Sequence, residues 1–69
     1  MRSQDVQLGM VVQVSELHRR LHYRGQIGVV QQRYGDVNYA AFDIQFLDGR
    51  SDLFWHHEFD EIQGFHLQS

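Results

Sequence analysis

The sequence predicts an all-β domain, a small and strongly bent antiparallel barrel of five strands. Three observations carry that expectation. Phe42, Ile44 and Phe46 alternate with Asp43 and Gln45, the period-2 pattern of a strand with one wet face. Asp48-Gly49 follows at once, a pair that suits the positive-φ positions of a two-residue type I′ turn. Short apolar runs bounded by turn residues recur along all 69 residues.

The turn fixes the register of the hairpin that spans Tyr39–His56. A type I′ turn sets Leu47 against Arg50 and pairs Phe46–Ser51, Gln45–Asp52, Ile44–Leu53, Asp43–Phe54 and Phe42–Trp55. Opposed residues share a face. Phe42, Ile44, Leu53 and Trp55 are therefore expected inside, joined by Val12, Val14, Ile27, Val29, Phe59 and Ile62. Phe54 is expected on the polar face with Asp43, Gln45 and Asp52.

The remaining elements follow in chain order. Met1–Asp5 reads as a frayed start, and residues 6–67 as the domain. Val6–Val14 alternates well enough for a first strand, with Gly9 as a bend or bulge. Ser15–Gly25 reads two ways. Ser15 caps a short helix that Gly25 ends, or the segment is a long first loop with Leu17 and Leu21 tucked under the rim. The loop, with one helical turn inside it, is the preferred reading. Gln26–Arg33 is a second strand in which Gly28 marks close backbone approach or a bulge. Tyr34–Asn38 is turn chemistry. After the hairpin, H-H-E-F-D-E is too polar for a core strand and reads as a single 3₁₀ turn that drops Phe59 inward. Ile62–Leu67 is expected to close the sheet, interrupted by Gly64.

Composition narrows the function classes. A chain of this length builds one domain with little core to spare. With no cysteine it has neither disulfides nor thiolate metal ligands. No leader-like start or membrane-length apolar run is present, so the expectation is a cytoplasmic protein without membrane insertion. The net charge of −3 counts against a general nucleic-acid binder. Its distribution is uneven: five arginines oppose two carboxylates in residues 1–33, and one arginine opposes seven carboxylates in residues 34–69. Every basic residue is arginine, whose planar fork suits carboxylates, phosphates and aromatic faces.

At this point the chain resembles small SH3-like barrel proteins. The resemblance lies in L-G-M-V-V-Q-V, in R-G-Q-I-G-V-V, and in the ending F-D-I-Q-F-L-D-G-R-S-D-L-F-W-H-H-E-F-D-E-I. The middle run is similar to a KOW-type strand. The ending is similar to that of peripheral photosynthetic subunits of photosystem I, the cytochrome b–f complex and the NDH complex, and of the ferredoxin–thioredoxin reductase variable chain. The resemblance covers Leu8 to Ile62 and implies a five-stranded SH3-like barrel with a long first loop and one 3₁₀ turn before the last strand. It also implies an accessory role in a larger complex.

Candidate chemistry is sparse. His18 and His22 are four apart, a metal-ligand spacing on a helix, but no carboxylate completes a set, and no metal or cofactor is expected. Adjacent His56 and His57 would point to opposite faces of a strand. Ser15 and Ser51 have no evident base, and the expectation is a non-enzyme. A binding role rests on H-R-R-L-H-Y-R in the first loop and on Phe54, an exposed anchor unless Phe65 and the tail cover it. Arg19, Arg20, Tyr23, Arg24 and Phe54 are the expected partner-binding residues, for a protein with an acidic patch. The alternative is a KOW-like module that meets RNA, or a ribosomal or transcription partner, through the same arginines.

Overall fold

A computed structural model describes residues 1–62, which form one five-stranded antiparallel sheet with three short 3₁₀ turns. The strands are β1 (Val11–Val14), β2 (Ile27–Gly35), β3 (Ala40–Phe46), β4 (Ser51–Trp55) and β5 (Phe59–Glu61). They lie in the order β4-β3-β2-β1-β5, so β1 to β4 form a meander and β5 returns beside β1. The 3₁₀ turns are Ser3–Asp5, Leu21–Tyr23 and His56–Glu58. The sheet is not closed as a barrel: β4 and β5 are its two edges.

It is nonetheless strongly curled. In a flat sheet β3 and β5, three strands apart, would be separated by about 14 Å. The rings of Phe42 on β3 and Phe59 on β5 are 5.8 Å apart, edge to face. Curling lets one sheet enclose its own core of Val12, Val14, Val30, Phe42, Ile44, Phe46, Phe54 and Phe59, with Val6 and Ala40 at the margins.

The hairpin forms where expected, but its turn is one residue longer. Phe46 N–H donates to Arg50 O at 2.7 Å and Gly49 N–H to Phe46 O at 3.0 Å. Gly49 has φ +91°, whereas Asp48 is not left-handed. This is the three-residue loop Leu47-Asp48-Gly49, a type I turn closed by a glycine bulge. Asp48 supports it by accepting the Arg50 N–H at 3.0 Å. Phe42 consequently faces Phe54 and Ile44 faces Asp52. A slip of one residue turns a whole strand over. Phe54 is only 1% exposed, while Leu53 and Trp55, both expected in the core, are 51% and 42% exposed.

The inward phase of β2 also differs. Gly28 and Val30 point in, leaving Ile27 and Val29 half-buried. Gly28 is opposite Phe46, and a Cβ there would sit 2.6 Å from Ile44 Cγ2 and 2.7 Å from the Gln45 carbonyl. It is a close-approach glycine. The bulge lies further on, between Val30 and Gln32.

Both ends depart from expectation. β1 starts at Val11, and Met1–Asp5 lies against the sheet: Ser3 is buried, and Met1 packs against the core. Arg33 makes the attachment. Its guanidinium donates to Ser3 O at 3.2 Å and to Val37 O at 3.2 Å, and lies 5.2 Å from the Phe42 ring centre. The third 3₁₀ turn does drop Phe59 into the core. The last described strand is Phe59–Glu61; Ile62 is half-buried beyond it, and the rest of the expected closing strand, with Phe65, lies outside the described residues.

Two substitutions test the register. Phe54→Ala should cost about 3–5 kcal/mol in denaturant melts, as truncation of a packed ring does. Trp55→Ala should cost about 1 kcal/mol or less, as a surface change does. The reverse ranking would restore the two-residue turn. Gly49→Val should also destabilise, by about 1–2 kcal/mol, because of its left-handed backbone and not for lack of space.

Candidate functional site

The first loop is fixed by polar anchors. Leu17 and Leu21, expected under the rim, are 86% and 69% exposed. The anchor is His18, which is buried. Its Nδ1 accepts the Arg20 N–H at 3.1 Å, which leaves Nε2–H to donate to Glu58 at 3.0 Å. Glu58 gathers further donors: its other oxygen accepts the Trp55 N–H at 2.8 Å, and Arg19 reaches the shared oxygen at 3.2 Å. The Glu58 carbonyl takes the Ser15 N–H at 2.9 Å. Three donors on one largely buried carboxylate satisfy it well enough to replace apolar anchoring. The single helical turn inside the loop is Leu21–Tyr23.

The expected binding residues are brought together, but their polar atoms are mostly used internally. Arg20 lies over the rings of Tyr23 and Phe54, 4.7 and 5.3 Å from their centres, and donates to Asp52 at 2.8 Å. Tyr23 stacks on Phe46 and donates its hydroxyl to Asp52 at 2.9 Å. Arg24 Nε donates to His18 O at 2.6 Å. Arg19 reaches Glu58 with its tip and is 74% exposed along its side chain. Phe54 is no surface anchor: the register of β4 turns it inward and it is buried, while Phe65 and the tail lie outside the described residues.

The histidines separate. His18 is engaged with Glu58, and His22 packs on Tyr23 with ring centres 4.2 Å apart. His56 and His57 are in the 3₁₀ turn and not on a strand; His56 Nδ1 donates to Met1 O at 2.8 Å, and His57 lies 3.3 Å from the Tyr39 hydroxyl. Ser15 Oγ accepts the Leu17 N–H at 3.1 Å, which accounts for that hydroxyl as a turn former.

Sequence reasoning placed Phe54 on the outer face of the hairpin, where the structure places Leu53 and Trp55. Tyr34, Ala41 and Trp55 form one cross-strand row, and Gln32, Asp43 and Leu53 form the next. Tyr34, Tyr39, Leu53 and Trp55 are all exposed, and Tyr39 lies 4.8 Å from Trp55, ring centre to ring centre. Leu53 is the wall between two shallow clefts. One is lined by Tyr34, Asp43, Ser51 and Asp52, and the other by Arg19, Ala41, Trp55 and Glu58. The signal that could have located this face is Leu47-Asp48-Gly49 taken as a three-residue turn. The edge of β4 is less available than its face: Leu53 N–H is bonded to Asp52 Oδ1 at 2.8 Å and Trp55 N–H to Glu58. Such capping blunts strand addition.

Asp52 and Tyr23 shift each other's titration. Burial disfavours charge on Asp52, but the Leu53 N–H, the Tyr23 hydroxyl and the Arg20 guanidinium outweigh it, and the carboxyl lies below its ordinary 3.8. The Tyr23 phenol, donating to Asp52 and partly desolvated, lies above its ordinary 10.0. A depressed folded value means that the stability Asp52 contributes is complete above its unfolded value and is lost as pH falls through the folded one. Tyr23 runs the other way, its contribution complete below 10.0 and lost as pH rises through the raised folded value. An NMR titration should place the Tyr23 midpoint above 10.0, returning towards that value in Asp52→Ala. A midpoint unmoved by the substitution would remove Asp52 as the cause.

No protein family, curated protein or solved structure matches this chain.

Proposed function

We propose that this protein is a non-enzymatic protein-binding module of SH3-like build, an accessory subunit that docks on a larger complex through the outer face of its hairpin. The observation that carries the reading is the alternation along β4. Phe54 is buried, while Leu53 and Trp55 are presented to solvent beside Tyr34 and Tyr39. A chain this small has few large apolar residues, and four of them clustered on one face mark an interaction surface. The strand order supports the SH3-like part: a four-strand meander, then a 3₁₀ turn, then a last strand beside the first.

The docking surface thus moves from the loop arginines to the outer hairpin face. Arg19 and Arg20 are paired with Glu58 and Asp52, so an acidic partner patch would compete with bonds already made, and Arg24 gives its Nε to the His18 carbonyl. The same commitments weaken support for the RNA alternative. Arg19 keeps a place at the rim of the face.

A photo-cross-linking residue at Leu53 should capture one defined protein in the cells of origin, whereas the same residue at exposed Leu17 should not. Trp55→Ser should cut co-purification of that protein about tenfold or more, with melting little changed. Arg19→Ala/Arg24→Ala should retain it. Retention in the first variant with loss in the second would put the docking site back on the loop.

A further inference from the structure

The two clefts beside Leu53 differ in charge, and that difference specifies a partner. Among the described residues Asp43 forms no ion pair, whereas Asp52 in the same cleft is already met by Arg20. The unneutralised charge of that cleft is therefore negative, and Tyr34 supplies an aromatic wall to it. A cation entering here gains a carboxylate and a ring face together. The second cleft offers Ala41, Leu53 and Trp55, with Arg19 already drawn to Glu58. It suits an apolar side chain.

The two subsites meet at Leu53 and centre on adjacent cross-strand rows: the acidic one on Asp43, with Tyr34 lining it from the next row, and the apolar one on Ala41 and Trp55. Rows two residues apart are spaced by about 6.8 Å along a strand. Side chains at i and i+2 of an extended segment have the same spacing and point the same way. Since the Leu53 and Trp55 amides on the β4 edge are already bonded, such a segment lies across the face and is read by its side chains.

Resting on the docking role above, we infer that the partner presents an extended segment with a basic residue and, two positions on, an aliphatic or aromatic residue. The basic side chain enters between Tyr34 and Asp43, and the apolar one lies against Leu53 and Trp55.

The test uses the full chain and three blocked peptides: Thr-Arg-Thr-Leu-Thr, its acidic counterpart Thr-Glu-Thr-Leu-Thr, and Thr-Arg-Thr-Ser-Thr. In amide NMR titrations up to about 5 mM, the range where isolated contacts of this size register, the first peptide should shift Asp43, Leu53 and Trp55. The other two should bind at least about fivefold more weakly, and Asp43→Asn should weaken the first by a similar factor, as loss of a rim charge does. Equal binding of the acidic peptide, no shifts at these residues, or indifference to Asp43→Asn would each overturn the inference. Concentration-dependent broadening of Leu53 and Trp55 without peptide would also overturn it, in favour of a second copy of this chain. These failures are separable from failure of the docking role, which shows as the absence of a cross-link from Leu53.

Discussion

The Phe54 ring packs edge-on against His18, Tyr23 and Phe46 and carries the Arg20 guanidinium over its face. Its position constrains the molecule in two directions. Inward, it is the floor on which the first loop is built, because His18, Arg20 and Tyr23 all belong to that loop. Outward, the pleat of β4 leaves its two neighbours no choice: with Phe54 inside, Leu53 and Trp55 must be outside. Core packing and surface display are set by one side chain.

Glu58 joins those halves. It belongs to the 3₁₀ turn after β4, caps that turn by taking the Trp55 N–H, and holds the loop through His18. A carboxylate this enclosed would be costly alone, and it is tolerable because charged and neutral donors surround it. The loop is thereby tied to the hairpin at both ends of β4: through Arg20 and Tyr23 to Asp52 near its start, and through His18 and Arg19 to Glu58 just past its end.

Much of the architecture was legible because it depends on patterns that survive a shift of one residue. The antiparallel hairpin, the preference for a loop over a helix at Ser15–Gly25, the close-approach glycine at position 28 and the 3₁₀ turn delivering Phe59 all follow from residue type and spacing. Register did not, since Asp48-Gly49 is compatible with a two-residue and a three-residue turn. Taking the pair as a type I′ turn selects the wrong one, and the pattern does not object: that register buries Leu53 and Trp55, two large residues, where the protein buries Phe54 alone. Burial pattern misleads where a chain presents large apolar residues to solvent, so the hairpin error and the candidate site coincide. The loop anchors failed for another reason. A histidine and a glutamate 40 positions apart give no local signal, whereas two leucines in one segment do.

The Arg33 guanidinium ends among backbone carbonyls and the Ser3 hydroxyl, with no carboxylate among its partners. Backbone oxygens carry no proton to gain over the range in which carboxylates discharge. The clasp over the N-terminal turn is therefore indifferent to acid, in contrast to the Arg20–Asp52 clasp under the first loop. On acidification the Arg33 bonds to Ser3 and Val37 should therefore outlast the Arg20–Asp52 pair, while the Met1–Asp60 and Arg2–Asp5 pairs discharge with it, so that Ser3 stays clasped as the first loop and the extreme N-terminus loosen.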